Sequence, residues 1–201
     1  MGKRVKQLIE GFLQTLENEK LLKKPSSKNS KKILRIGMKN HPYEEMANLV
    51  HVKFSSLRKQ TPQGKSLITE DEMRSYAIHW SLCMTRGNLE QIKFFLLTLI
   101  DSKKIKIDDN PEYGTLLTRV FKKLTLSNCL KQQYYETFMV NFRNAISHNG
   151  IEINKKSISY YVDRQQTKKK RLTDKQIYHM LEDVNDIYQT FQDFIKTKLN
   201  I

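Results

Sequence analysis

The chain is short of the residues that interrupt regular structure, with seven glycines and four prolines among 201 positions. That scarcity excludes a collagen-like or low-complexity chain and favours long, unbroken elements. Cysteine is scarcer still. Cys83 and Cys129 are the whole supply, too few for a disulfide scaffold and without metal-ligand spacing, so each is expected to be a small core residue in a reducing cytoplasm. Long apolar runs are missing too. The longest, Phe94-Phe95-Leu96-Leu97, stops at Thr98 and is far too short for a bilayer. Lys3, Arg4 and Lys6 are not followed by the apolar core and small-residue cleavage site of a secretion signal, so a cytoplasmic protein with no membrane partner is expected. Acidic residues are outnumbered, 21 against 36 Lys and Arg, for a formal net charge of +15. Such a field attracts polyanions, of which nucleic acid is the usual one.

What is present is helical periodicity. Val5, Leu8, Ile9, Phe12 and Leu16 recur at three-and-four spacing over residues 3–22. A basic, aperiodic stretch follows from Lys23 to Lys32, which divides residues 1–40, a helix with its linker, from a main domain over 41–201. Pro42 opens a helix to about Arg58, and Thr61 to Ser66 is a loop whose Gly-Lys-Ser lacks the upstream glycine of a phosphate-binding loop. Thr69 and Glu72 form a capping box, and the helix behind them is expected to place Met73, Ala77, Trp80 and Met84 in the core. Gly87-Asn88 marks a stop and restart before Leu89, Ile92, Phe95, Leu96 and Leu99, the run expected to be most buried. Asn110-Pro111 reads as N-cap and first residue of a helix carrying Leu116, Leu117, Val120, Phe121 and Leu124.

Ser127 is placed to cap a helix running to about Ser147, with Tyr134, Tyr135, Phe138, Phe142 and Ile146 as its apolar stripe. Beyond it, Ile151, Ile153, Ile158, Tyr160 and Val162 alternate around Asn154-Lys155-Lys156-Ser157, the pattern of a two-stranded hairpin. The basic run Lys168-Lys169-Lys170-Arg171 comes next. Thr173 and Gln176 then box the start of a last helix carrying Ile177, Leu181, Val184, Ile187, Tyr188, Phe191 and Ile195.

The chemistry concentrates at the end of the Ser127 helix, in Phe142-Arg143-Asn144-Ala145-Ile146-Ser147-His148-Asn149-Gly150. Asn144 and His148, four apart, share a helix face, whereas Arg143 lies about 140° from His148 around the axis. Two routes bring Arg and His into one basic pocket: a last turn loosened by Gly150 in the left-handed conformation, or a second copy of the segment across a two-fold axis. His41, His51, His79 and His179 lack this polar, basic, helix-terminal context. His79, beside Trp80, reads as a partly buried, hydrogen-bonded residue.

Arg143-Asn144-Ala145-Ile146-Ser147-His148 resembles the R-x4-6-H signature of the HEPN superfamily, in the form with Asn after the Arg. The resemblance spans roughly residues 70–200. It implies an all-α HEPN-like helical bundle, here with a small β-hairpin after the motif helix. It also implies a metal-independent endoribonuclease, working as a homodimer in which two motif copies form one composite site, in a toxin or abortive-infection role. Arg143, Asn144 and His148 are then the expected catalytic residues. His148 would move the proton of the ribose 2′-OH or protonate the leaving 5′ oxygen, and Arg143 would offer a charged donor fork to the phosphate. Lys168, Lys169, Lys170 and Arg171 are expected to track the RNA backbone. No cofactor or metal is expected, and an antitoxin or phage-encoded activator is an expected further partner. The alternative is a HEPN-like module that binds RNA or protein without turnover. Outside the resemblance, Arg143 reads as an ion pair with a carboxylate such as Glu136, Asn144 as a helix-end cap, and His148 as a satisfied terminal histidine.

Overall fold

A computed structural model of the chain describes residues 2–23, 69–108, 111–148, 150–163 and 167–199. The expected helix over 42–58, the loop at 61–66, the linker beyond Lys23, and His41 and His51 lie outside the described residues.

Helix α1, Gly2–Asn18, buries the stripe its periodicity announces: Ile9, Phe12 and Leu16 are completely enclosed. The helix docks on its own chain. Past it, Lys23 N–H donates to Leu99 O at 2.6 Å and Asp101 N–H to Leu21 O at 2.9 Å, stitching this end of the chain to the end of the next described helix. That helix, α2, runs unbroken over Glu70–Leu99, thirty residues. Thr69 and Glu72 form the expected reciprocal capping box. The expected stop at Gly87-Asn88 does not occur. Both residues are buried inside the helix, and tertiary packing overrides their low helix propensity. The expected core face of α2 is also corrected. Ile78, Ser81, Leu82 and Thr85 are buried, while Ala77 is exposed and Met73, Trp80 and Met84 are only half-covered.

Ser102–Ile105 forms the short α3, and α4 spans Tyr113–Lys123. It starts after Glu112 rather than at Asn110-Pro111, with no side-chain cap, and buries Leu116, Leu117, Val120 and Phe121 as expected. The single helix expected from Ser127 to Ser147 is two: α5, Asn128–Thr137, capped by Ser127, and α6, Val140–Ser147. The chain breaks at Met139, whose φ of 51° is left-handed. The fully buried Tyr113 hydroxyl donates to Phe138 O at 3.2 Å, satisfying a carbonyl at the break.

A three-stranded antiparallel sheet follows, β1 (Ile151–Asn154), β2 (Ser157–Tyr161) and β3 (Lys169–Thr173), in that spatial order. The hairpin turns at Lys155-Lys156 with Asn154 opposite Ser157, where the alternation put it. The third strand is a correction to the two-stranded expectation, because Lys169, Lys170 and Arg171 of the basic run lie within it, Lys170 opposite Tyr160 and Leu172 opposite Ile158. The last helix, α7 (Asp174–Leu199), begins at the Thr173–Gln176 box. It packs along α1 and α2.

The molecule is therefore mainly helical with one small sheet, and it has two apolar centres. The larger joins α1, the C-terminal half of α2, α4, α5 and α7 around Phe12, Phe95, Phe138 and Phe191. The smaller seats the sheet on α2 and α6 through Ile78, Leu82, Phe142, Ile158, Tyr160 and Leu172, with Phe142 edge-on to Tyr160 at 5.1 Å. Among the described residues no helix is long and apolar enough to cross a membrane. Cys83 and Cys129 are both free, and Cys129 is exposed at the start of α5 rather than in the core. His79 is exposed as well, its Nδ1 2.7 Å from Ser75 O.

Candidate functional site

Helix α6 is only eight residues long, and its side chains leave in three directions. Phe142 and Ala145 enter the sheet-side core and fix the helix. Arg143 turns toward α2. Asn144 and His148 turn to an open cleft of about 410 Å³.

The Arg143 side chain is 13% exposed, and each of its three nitrogens has a partner. Its Nε donates to Glu90 Oε1 at 3.0 Å, Nη2 donates to the same oxygen, and Nη1 reaches Asn144 Oδ1 at 3.4 Å. The guanidinium carbon stands 5.8 Å from the centre of the Tyr113 ring, within cation–π range. Burial pushes the Tyr113 hydroxyl far up; the Arg143 charge opposes that shift and Glu90 adds to it. The expected ion pair with Glu136 is thus replaced by one with Glu90, 53 positions away. Arg143 does not line the cleft.

His148 caps α6 with φ −115° and ψ 24°, and its N–H donates to Asn144 O at 3.0 Å. Gly150 N–H bonds back to Ala145 O at 2.8 Å, closing the helix end. Gly150 does not take the expected left-handed conformation, and the turn does not bring Arg143 and His148 together. The imidazole is exposed and makes no hydrogen bond with a described residue. Asn144 and His148 do share the cleft, as their spacing required.

The opposite walls come from Glu112, just before α4, and from Tyr161 and Asp163 at the end of β2. Asp163 accepts the Thr167 hydroxyl, Thr167 N–H at 2.9 Å and Lys168 N–H at 3.1 Å. The Thr167 hydroxyl bond, with these backbone donors, holds its carboxyl below the usual carboxylate range. Among the described residues the cleft carries two carboxylates and no Lys or Arg. The described residues of one copy therefore do not form the basic pocket expected around His148.

The four basic residues of the 168–171 run are all exposed but not equivalent. Lys169 Nζ bonds Glu152 Oε2 at 2.6 Å and lies over the Tyr161 ring, so the bond to Glu152 raises its pKa. Arg171 Nε donates to Ser157 Oγ at 2.9 Å. Lys170 projects into a second cleft, beyond the shared wall of Asn141 and Val162. Among the described residues no three His, Cys, Asp or Glu side chains gather as a metal-holding group.

Glu90, Tyr161 and Asp163 were missed in the sequence. Glu90 had a signal, a lone carboxylate in the apolar run from Leu89 to Leu99; the other two had none. No family model, curated protein or solved structure matches the chain.

Proposed function

We propose that the chain is a metal-independent endoribonuclease of HEPN type, acting as a homodimer through His148. The observation that supports the reading is an exposed imidazole at a helix end, with no hydrogen-bond partner among the described residues, beside Asn144 in an open cleft of about 410 Å³. In the reaction the ribose 2′ oxygen attacks the adjacent phosphorus and the bond from phosphorus to the 5′ oxygen breaks. The products are a 2′,3′-cyclic phosphate and a free 5′-hydroxyl. One proton leaves the 2′-OH and one arrives at the 5′ oxygen, so two proton-transferring groups are wanted.

Among the described residues a single copy offers one imidazole to the cleft. A second His148, related by a two-fold axis, completes the pair. Arg143 acts as a positioning residue in this scheme, because it does not line the cleft and each of its three nitrogens is bonded to Glu90 or Asn144. By holding the Asn144 amide oxygen it leaves the amide nitrogen to donate to a phosphate oxygen. Lys168 and Lys170, which have no carboxylate partner among the described residues, supply the charge that holds the RNA backbone. Cutting RNA would arrest growth, which fits a toxin or abortive-infection effector controlled by an antitoxin or a phage-encoded activator.

The test is cleavage of single-stranded RNA in EDTA, with the 3′ ends of the products examined. Wild type is expected to give cyclic phosphate ends. His148→Ala is expected to lose at least about a hundredfold in rate, with thermal stability unchanged because the ring is exposed. Undiminished cleavage by His148→Ala would sink the proposal. The acidic lining from Glu112 and Asp163 favours a second reading, a binding module without turnover. RNA retained in complex but never cut would support it.

A further inference from the structure

Two lysines stand where the backbone favours glycine. Lys20 and Lys106 have φ of 56° and 55°, and each follows a helix end. After α1, Leu21 N–H bonds to Leu16 O and Lys20 N–H to Glu17 O, both at 2.9 Å. After α3, Lys106 N–H and Ile107 N–H both bond to Ser102 O. This is the helix stop whose left-handed position glycine usually fills, because a Cβ there is crowded. A cation's attraction to a helix C-terminus does not need that position, since neighbours with ordinary backbone supply it, as Lys103 and Lys104 do for α3. Strained positions of this kind persist where function uses them.

Both lysines lie at one end of the molecule. Lys104 Nζ donates to Lys20 O at 2.7 Å, Thr125 N–H, just past α4, to Glu19 Oε1 at 2.8 Å, and Arg119 Nη1 to Lys106 O at 2.6 Å. With the bond from Lys23 N–H to Leu99 O, these contacts gather the C-terminal ends of α1, α2 and α4 around α3. Six exposed lysines belong to this end: Lys20, Lys23, Lys103, Lys106, Lys122 and Lys123. None has a carboxylate partner among the described residues. The nearby carboxylates are engaged elsewhere, Glu17 with Lys198, Glu19 with Thr125 N–H, Asp101 with Lys103 N–H and Asp108 with Arg119.

We infer that this end is a phosphate-binding surface that holds an RNA strand running on from the His148 cleft. The choice of RNA rests on the ribonuclease reading. Helix α4 connects the two places: Glu112, before its first turn, walls the cleft, and Lys122 and Lys123 close its last, about 15 Å away along the axis. The cleft itself has carboxylates and no Lys or Arg among the described residues, so a strand entering it is held from outside. Lysines do this by releasing the counterions of the phosphates, without reading bases. An anionic lipid surface fits less well, because among the described residues no large apolar side chain is exposed beside these lysines to enter a bilayer.

The experiment measures binding of a 2′-O-methyl single-stranded RNA to the full-length chain across a salt series. That RNA lacks the attacking hydroxyl, so binding is read without cleavage. Lys20→Gly with Lys106→Gly is expected to lower the slope of log affinity against log salt by about 1.4, for two lost contacts. The same pair should raise the melting temperature by a few degrees as the backbone strain goes. A purely structural role for the two lysines moves the melting temperature and leaves the slope. Lys20→Arg with Lys106→Arg keeps the charge and should keep the slope. Lys122→Gln with Lys123→Gln, which leaves the backbone alone, should lower it as the glycine pair does. An unchanged slope in either the glycine or the glutamine pair overturns the surface, as does wild-type binding to phosphatidylserine vesicles but not to RNA. Salt-dependent binding lost in these variants, with ordinary RNA left uncut by wild type, overturns the nuclease reading and leaves the surface standing. Cleavage by wild type, with RNA binding indifferent to these lysines, overturns the surface and leaves the nuclease.

Discussion

Arg143 and His148 stand five positions apart and end in opposite environments, one walled in against Glu90, the other open to solvent. Their substitutions should therefore differ in kind. Removing Arg143 strands the Glu90 carboxylate, whose side chain is only 26% exposed. Arg143→Ala is expected to lose about 2 kcal/mol, below the value for a fully buried pair because some water remains. Adding Glu90→Gln should restore part of that loss, since the stranded charge is gone; urea unfolding of the single and double variants measures it. Strictly additive losses would mean that the pair is not coupled. The sequence carried half of this site. Four-residue spacing put Asn144 and His148 on one face, a local fact, whereas the destination of Arg143 depends on α2 lying alongside α6, which no local pattern contains.

At the scale of elements, periodicity placed the buried stripes of α1, α4 and α7, because burial of such a stripe is what stabilises a helix, but it misplaced the face of α2, where Met73, Ala77, Trp80 and Met84 stay exposed or half-covered. It failed where a rule of propensity met a stronger tertiary term. Gly87 and Asn88 stay helical under packing, Met139 breaks a helix without glycine or proline, and the basic residues of β3 join the sheet because β2 offers an edge and Leu172 a buried anchor. One tie holds α2, the sheet and α7 together. Arg74 donates to Asn154 O and, through two nitrogens, to both oxygens of Asp174, each at 2.6 Å. The bond from Arg74 holds the Asp174 carboxyl below its usual range. A depressed folded value means that the stabilisation is complete above the unfolded pKa and fades as pH falls through the folded one, here below about pH 4. With Asp174 48% exposed, the contribution stays under about 1 kcal/mol. Melting temperature should fall more steeply in wild type than in Asp174→Asn as pH drops from about 4; parallel curves would remove the tie from the account.

The whole molecule sets the last question, because its charge and its site point in different directions. The chain carries +15, yet the cleft around His148 presents Glu112 and Asp163 and no cation among the described residues. Among the described residues positive charge lies elsewhere, partly on and just before β3, where Lys170 and Lys168 have no carboxylate partner. On the proposed ribonuclease reading, a phosphate brought up by those lysines would meet one imidazole per copy among the described residues, while proton removal and proton delivery call for two groups. If one copy gave both in turn, activity in a mixture of wild type and His148→Ala would fall in proportion to the wild-type fraction. If each cut needs a His148 from both copies, only dimers of two wild-type chains work, and activity falls as the square of that fraction. After subunit exchange in an equal mixture, about a quarter of the wild-type rate should remain rather than about a half. A linear decline would confine the chemistry to one copy, and the second proton-transferring group would then have to be sought among Glu112 and Asp163 across the same cleft.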